Sequence, residues 1–420
     1  MLIIRGARVI DPAAGIDEIR DILIADGVFT DTAPEDALVL DATGLIAAPG
    51  LVDMHVHFRE PGFTHKEDII TGAAAAAAGG VTTVVCMPNT KPVIDSADTV
   101  QYVANRAKAA AIRVLTYAAV TIGQSGQALT DFATLQNAGA VALSDDGNPI
   151  MNADIMRKAL LLARDFGFVI SCHSEDADMV RSYAVNEGAV SEKLGIPGRP
   201  AIAEELMIAR DAMLALETGA KVHIAHISTA KSVEIIRQAK KMGANITAET
   251  CPQYFSITED AVLTHGAMAR MNPPLRTKVD VAGIIEGLRD GTIDVIATDH
   301  APHAEAEKAL SLEEAPSGIA GLETSLSLAL TKLYHTGVLT LPELINKMSY
   351  APSQILGLGY GTLNAGKSAD LVLFDAEEIW TVDPTRFSSK SRNTPFSGTQ
   401  LRGRVKYAVS RGNIVYKERS

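Results

Sequence analysis

Residues 51–58 of the chain read Leu-Val-Asp-Met-His-Val-His-Phe and are followed by Arg59. A short apolar run of this kind is typical of a buried β-strand. Side chains alternate between the two faces of a strand, so His55 and His57 point to the same side and Val56 to the other. Two imidazoles on one face suit a metal such as zinc, although a pair of hydrogen-bonded core histidines would give the same pattern.

Further apolar runs follow this first strand at regular intervals, with helix-like stretches between them. The eight predicted strands are Leu51–Phe58, Thr82–Met87, Arg113–Val120, Val141–Ser144, Phe168–Ser171, Lys221–Ile227, Asn245–Glu249 and Asp294–Thr298. Helices are predicted at Asp98–Ala110, Ala153–Phe166, Ala203–Thr218 and Ala230–Met242. This alternation predicts an α/β fold, specifically a TIM-type (β/α)8 barrel with its active site at the carboxyl ends of the strands. The alternative is an open doubly wound sheet, but no G-x-G-x-x-G turn opens a helix here.

Both ends of the chain are β-like and punctuated by turns. Short aliphatic runs separated by turn residues, such as Asp26-Gly27, fill the first fifty residues, and Arg411-Gly412 forms a hairpin turn near the other end. We therefore expect one small β-sandwich-like domain built from residues 1–49 and 361–420, with the barrel at residues 50–360.

Composition excludes several classes of protein. The chain has 420 residues, and 38 Lys+Arg against 50 Asp+Glu give 38 − 50 = −12 at pH 7. This acidic balance argues against nucleic acid or an anionic membrane as the partner, while a local pocket can still bind a small anion. The sequence has no run of about 18 apolar residues and no signal-like N-terminus. Its three scattered cysteines indicate buried, reduced thiols, so a cytoplasmic protein is predicted.

Polar residues cluster where the predicted strands end. One histidine, His173, follows the end of the fifth strand and another, His226, lies at the end of the sixth; both are at the level of the His-x-His pair, which favours a second metal position. After the fourth strand come Asp145 and Asp146, of which either one could bridge two cations. Asp299 ends the eighth strand and is a candidate general base and metal ligand, although a helix N-cap is the alternative.

Two further strand-end residues are placed to hold a carboxylate. Arg59 follows His57 on the same face, and an arginine fork matches a planar carboxylate in two parallel hydrogen bonds. Asn89 ends the second strand. A surface ion pair between Arg59 and Glu60 or Glu67 is the alternative interpretation.

These motifs resemble those of the dihydroorotase family of the long bacterial type, within the amidohydrolase superfamily. The resemblance runs nearly end to end. It rests on the motifs around His55-Val-His-Phe-Arg59, Met87-Pro-Asn-Thr90, Asp145-Asp-Gly147, Met271-Asn-Pro-Pro-Leu-Arg276 and Thr298-Asp-His-Ala-Pro-His303. Two departures are the Ser317-Gly318 loop, where relatives usually have an aromatic residue or Asn in place of Ser317, and residues 250–255, which look partly like hydantoinase and allantoinase relatives.

The resemblance implies a particular site. One zinc would bind His55, His57 and Asp299, and a second would bind His173 and His226, with Asp146 as the bridge in place of the carboxylated lysine of many relatives. The substrate would contact a further set of residues: Arg59, Asn89, Asn272, His303, Ser317 and Gly318. Asp299 would act as general base and then as general acid.

The implied reaction is the reversible cyclisation of N-carbamoyl-L-aspartate to (S)-dihydroorotate in the biosynthesis of pyrimidines, with water activated by the metals. A hydantoinase- or allantoinase-type cyclic amidohydrolase is the alternative. A non-catalytic scaffold partner of aspartate transcarbamoylase belongs to a different class, and its members lose ligands that this chain keeps. A homodimer is expected, and a complex with aspartate transcarbamoylase is left open.

Overall fold

The fold combines a barrel of parallel strands with a mostly antiparallel sheet from the two ends of the chain. A computed structural model describes residues 1–32, 36–180 and 184–418. In the terminal sheet the strands are β1 (Leu2–Asp11), β2 (Ile16–Ala25), β3 (Val28–Thr30), β4 (Leu38–Asp41), β5 (Ile46–Pro49), and, after the barrel, β14 (Leu371–Thr381), β15 (Gln400–Ser410) and β16 (Asn413–Lys417). The barrel strands are β6 (Leu51–Val56), β7 (Val81–Cys86), β8 (Arg113–Ala118), β9 (Ala142–Ser144), β10 (Val169–Cys172), β11 (Lys221–Ile224), β12 (Ile246–Thr250) and β13 (Val295–Ile296).

The barrel strands follow one another in chain order from β6 to β13, and each pairs in parallel with the next. The ring is joined by a parallel bridge between Val56 and His300, where the His57 N–H donates to the His300 carbonyl at 2.8 Å. Every residue of β7 is buried, as expected for strands covered on both faces. The predicted (β/α)8 barrel is confirmed.

Helices cover the outside of the barrel. They are α1 (Ile69–Ala78), α2 (Ala97–Ala107), α3 (Phe132–Ala138), α4 (Ala153–Phe166), α5 (Ala189–Leu194), α6 (Ile202–Thr218), α7 (Ala230–Lys241), α8 (Pro252–Ser256), α9 (Ala261–His265), α10 (Lys278–Arg289), α11 (Glu305–Lys308), α12 (Ser325–Ala329), α13 (Leu341–Ile345) and α14 (Ala351–Ile355). Helix α4 shows why these stretches are helical. Its buried residues are Met156, Ala159, Leu160 and Ala163. They recur at helical spacing, so burying them places one apolar stripe in the core. Within the described ranges, no helix is long and apolar enough to cross a membrane.

The terminal sheet joins the two ends of the chain. Its strands run in the order β16-β15-β14-β5-β1-β2-β3, with β4 paired to β1. The join is the antiparallel register of β14 on β5, in which Leu371 lies opposite Pro49 and Phe374 opposite Ile46. The small β-rich unit formed by both termini is therefore confirmed, while the exact boundaries at residues 49 and 360 stay a prediction.

Strand β13 is shorter than the predicted Asp294–Thr298. Only Val295 and Ile296 keep the ladder, because Thr298 turns to donate its hydroxyl to Asp53 at 2.6 Å and Asp299 adopts a positive φ of 48°. The early end of the strand leaves Asp299 free to face the barrel mouth.

Candidate active site

The carboxyl ends of β6, β11 and β13 bring three histidines and a carboxylate together. His55, His57 and Asp299 place ligand atoms within 4.8 Å of one another, and so do His55, Asp146 and His226. His57 Nε2 lies 3.0 Å from Asp299 Oδ1, and His55 Nε2 lies 3.5 Å from the same oxygen. His55 and His57 therefore both direct their rings toward Asp299 at the barrel mouth.

Asp146 lies at the centre of the histidine cluster. Its Oδ1 is 3.5 Å from His55 Nε2, 3.4 Å from His173 Nδ1 and 3.4 Å from His226 Nε2. His173 and His226 are themselves 2.9 Å apart. A carboxylate in this position can reach metal ions on either side of it.

The structure distinguishes the two aspartates that the sequence left open. Asp145 points away from the histidines and accepts hydrogen bonds from the Val120 and Thr121 N–H groups at 2.8 and 3.1 Å. Asp146, the next residue along the chain, faces the opposite way because successive side chains alternate at a strand end. Of the two carboxylates, Asp146 is therefore the one that faces the histidines.

These residues fit a divalent cation site. His55 Nε2 and Asp146 Oδ1 are buried and have no hydrogen-bond partner among the described residues, and a buried polar atom without a partner is costly unless a ligand satisfies it. Burial alone would raise the pKa of the Asp146 carboxyl, but the nearby imidazoles of His55, His173 and His226 lower it well below its usual range. The cluster offers imidazole nitrogens and ionised carboxylates, the donors that zinc and similar metals prefer.

Two carboxylates lie behind the histidines, and the sequence reasoning did not identify either. Glu249 is 2.5 Å from His55 Nδ1, and Glu175 is 3.7 Å from His173 Nε2. Metal-binding histidines usually donate their second ring N–H to such a group. The only sequence signal for Glu249 is its position at the end of the seventh predicted strand, and its burial is seen only in the structure.

Three residues of the site have left-handed backbone conformations. The φ angles are 61° for Arg59, 35° for His226 and 48° for Asp299. Such angles are uncommon for residues other than glycine and cluster at functional sites, where the surrounding structure holds the strained conformation. The backbone thus aims these three side chains at the barrel mouth.

The predicted substrate-binding residues fall into two groups. Arg59 Nη2 lies 3.3 Å from His303 Nε2, and the same nitrogen of His303 is 2.8 Å from the Ser317 carbonyl, beside Gly318. Asn89 and Asn272 instead contact histidines of the cluster: Asn89 Oδ1 lies 2.9 Å from His57 Nδ1, and Asn272 Nδ2 lies 3.4 Å from His173 Nε2.

The charge state of the first group suits an anion. Burial lowers the pKa of Arg59 to about 10, which leaves it a cation at neutral pH. Burial and then the charge of Arg59 lower the pKa of His303 to about 2, so that the ring is neutral. A half-buried cation beside a neutral imidazole can bind a carboxylate that lies next to the histidine cluster.

A parallel barrel with this constellation of histidines and aspartates at its mouth defines a metal-dependent hydrolase of the amidohydrolase type. Solved structures agree: an L-hydantoinase (dihydropyrimidinase) from Arthrobacter aurescens has a TM-score of 0.89 and 26% identity over 99% of this chain and 96% of that one. A dihydropyrimidinase from Brevibacillus agri has a TM-score of 0.87 over 99% and 95% of the two chains, and its 24% identity supports the fold alone.

Sequence relatives give the particular family. A dihydro-orotase-like family model matches residues 44–232. A dihydroorotase of Geobacter metallireducens is 48% identical over 99% of both chains. Another from Clostridioides difficile is 48% identical over 99% of this chain and 100% of its own length, and one from Citrifermentans bemidjiense is 49% identical over 99% of each. The chain belongs to the dihydroorotase family.

Proposed function

We propose that the protein is a cyclic amide hydrolase of the dihydroorotase type, which interconverts N-carbamoyl-L-aspartate and (S)-dihydroorotate in pyrimidine biosynthesis. The names and full-length identity of the relatives support this activity. The observation that carries it is the position of Arg59. This half-buried cation lies beside His303, and the charges of Asp299 and Asp146 act on it, so the site offers a partner for a substrate carboxylate next to the proposed metal ligands.

The metal ligands that we propose divide into two positions. His55, His57 and Asp299 would hold one zinc ion, and His173 and His226 the other, with Asp146 shared between them. When bound, zinc supplies Lewis acidity, which polarises a carbonyl group and lowers the pKa of water. The orphaned His55 Nε2 and Asp146 Oδ1 support this arrangement because both face the centre of the cluster.

Asp299 is the proposed proton carrier. In the hydrolytic direction water adds to the ring amide carbonyl while an Asp299 oxygen accepts its proton. Asp299 then returns this proton to the ring nitrogen as the C–N bond breaks, which leaves a terminal ureido NH2 group and a carboxylic acid that loses its remaining proton to solvent.

The remaining residues orient the substrate. Arg59 and Asn89 would hold the ring carboxylate, and Asn272, His303 and the Ser317-Gly318 loop would hold the rest of the ring. Fixing the carbonyl against the nucleophile in this way lowers the entropy cost of reaction. Hydantoins lack the carboxylate, so Arg59 favours dihydroorotate over the substrates of hydantoinase- and allantoinase-type relatives.

A non-catalytic scaffold is the alternative from a different class. Against it, the chain retains both halves of the His-x-His pair and Asp299, and they lie in contact.

Location and assembly complete the proposal. Three buried free cysteines, Cys86, Cys172 and Cys251, support a reducing cytoplasm. A homodimer and a complex with aspartate transcarbamoylase stay predictions, and sedimentation of the protein with and without purified aspartate transcarbamoylase tests both.

The activity itself is tested by incubating purified, zinc-loaded protein with dihydroorotate and, separately, with N-carbamoyl-L-aspartate. Chromatography should show each converted into the other to the same final ratio, because an enzyme does not alter an equilibrium. Absence of conversion from both directions, with zinc content verified, would contradict the proposal.

A further inference from the structure

The connection between β14 and β15 leaves the terminal sheet and reaches the mouth of the barrel. Residues 389–393 of this connection, Ser-Lys-Ser-Arg-Asn, alternate in burial. Ser389, Ser391 and Asn393 are each at most 3% exposed, whereas Lys390 and Arg392 are exposed. We call residues 389–393 the brace segment.

Asn393 ties together two loops that carry substrate-binding residues. Its Nδ2 donates to the Gly318 carbonyl at 2.8 Å and to the Ala301 carbonyl at 3.3 Å. Its Oδ1 accepts the His303 N–H at 3.3 Å, and its backbone carbonyl accepts the Ala320 N–H at 2.8 Å. Asn393 thus contacts the chain from Ala301 to His303 in one loop and from Gly318 to Ala320 in the other.

Ser391 holds His303 from the same segment. Its hydroxyl donates to the His303 carbonyl at 2.7 Å and accepts the His303 N–H at 3.1 Å. The segment is anchored in turn, since the Ser389 hydroxyl donates to the buried Glu67 carboxylate. A fixed segment on a rigid anchor can hold its partners precisely.

The loop that Asn393 holds is packed tightly. Gly318 has a φ of 146°, and a Cβ added there would lie 2.5 Å from the Ala301 carbonyl oxygen and 3.1 Å from His303 Cδ2. Lys308 donates to the Pro316 and Gly318 carbonyls at 2.9 and 3.3 Å, and Ser317 O lies 2.8 Å from His303 Nε2. Because three consecutive carbonyls are engaged, a shift of Gly318 would also displace the His303 ring.

We propose that Asn393 is a positioning residue for the substrate site, through which the terminal sheet sets the placement of His303 and Gly318. The inference rests on the proposed function, in which these two residues contact the substrate. Asn393 touches no reacting atom itself. Its loss should therefore weaken substrate binding while leaving proton transfer by Asp299 intact.

The test compares Asn393→Ala with Ser327→Ala in the full-length, zinc-loaded protein. Ser327, in α12, is also buried and also bonds to the terminal sheet, because its hydroxyl donates to the Gly403 carbonyl at 2.6 Å. None of its hydrogen-bond partners among the described residues belongs to the substrate site. For Asn393→Ala we expect KM for dihydroorotate to rise about tenfold, the effect of losing roughly one to two hydrogen bonds, with kcat within about twofold. Ser327→Ala should lower Tm and leave KM unchanged.

A second readout does not depend on turnover. Deuterium uptake by the peptide that contains residues 316–320 should accelerate in Asn393→Ala and not in Ser327→Ala. An unchanged uptake, an unchanged KM, or equal changes in KM for both variants would each overturn the inference.

Wild-type protein that fails to convert dihydroorotate would contradict the proposed function alone, because the uptake comparison still decides whether Asn393 holds the loop. If Asn393→Ala does not fold, Ser391→Ala is judged by the same two criteria.

Discussion

The Glu249 carboxylate lies 2.5 Å from Nδ1 of His55, on the edge of the ring opposite to Nε2. His55 Nε2 in turn faces Asp146 and Asp299, each at 3.5 Å. Burial would raise the pKa of Glu249, but its close contacts with His55 and His223 hold it well below its usual range. An ionised carboxylate behind the ring keeps the proton on Nδ1 and turns the Nε2 lone pair toward the metal position.

Glu249→Gln should weaken zinc binding by about 10- to 100-fold, the usual cost of losing such a supporting group. Competition with a chelator of known affinity measures this directly. Glu259→Gln is the control, because Glu259 is a buried carboxylate that contacts Asn186 at 2.8 Å instead of a histidine. Equal affinities for the wild type and Glu249→Gln would show that Glu249 does not support the metal site.

Asp299→Asn should lower kcat by at least about 10²-fold, since general acid–base catalysis contributes about 10²–10⁴. Most of the zinc should stay bound through the remaining ligands, as measured by elemental analysis. Asp145→Asn is the matched control, because Asp145 is a buried aspartate beside the site that points to Val120 and Thr121. Near-normal turnover of Asp299→Asn would refute the proton-carrying role.

The sequence predicted the barrel and the cluster for the same physical reason. In a parallel barrel the strand ends meet at one rim, so a polar residue after each apolar run is enough to place His55, Asp146, His226 and Asp299 together. The sequence could not show which of Asp145 and Asp146 faces the histidines, because the direction of each side chain depends on the exact residue at which β9 ends. Glu249 was missed because a single acidic residue on a strand carries no periodic signal.

Arg59→Met should raise KM for dihydroorotate by roughly 10- to 100-fold, as expected for the loss of a charged hydrogen-bond pair. Turnover of hydantoin, which has no carboxylate, should change much less. Steady-state kinetics on both substrates measures the difference, with Arg113→Met as the control because Arg113 pairs with Asp370 at 3.0 Å. Equal losses on the two substrates would count against Arg59 as the carboxylate partner.

Lys308 predicts a pH dependence of stability. Burial lowers its pKa from 10.5 to about 7, so between these values the folded state binds fewer protons than the unfolded state. The free energy of unfolding contributed by this group therefore rises with pH from about 7 to about 10.5. Chemical denaturation across this range should show the free energy of unfolding of the wild type increasing with pH relative to that of Lys308→Met. The control Lys221→Met, at an exposed position, should show a constant difference from the wild type.

A wild-type advantage over Lys308→Met that stays constant or falls with pH would contradict the burial argument.

Lys308 and Asn393 show what the sequence could not predict. Both are polar residues in loop-like sequence, and Asn393 lies 90 positions from His303, its hydrogen-bond partner. Contacts between residues so far apart depend on how the terminal sheet packs against the barrel, which local pattern does not encode.

The most direct test of the proposed activity is the specificity of the wild-type protein at a measured zinc content. Rates of hydrolysis of dihydroorotate, hydantoin and allantoin are followed by absorbance, and kcat/KM is compared. We predict a preference for dihydroorotate of at least about 100-fold over either of the other rings, the contribution expected of a buried arginine–carboxylate pair. Equal or faster hydrolysis of hydantoin or allantoin would contradict the assignment.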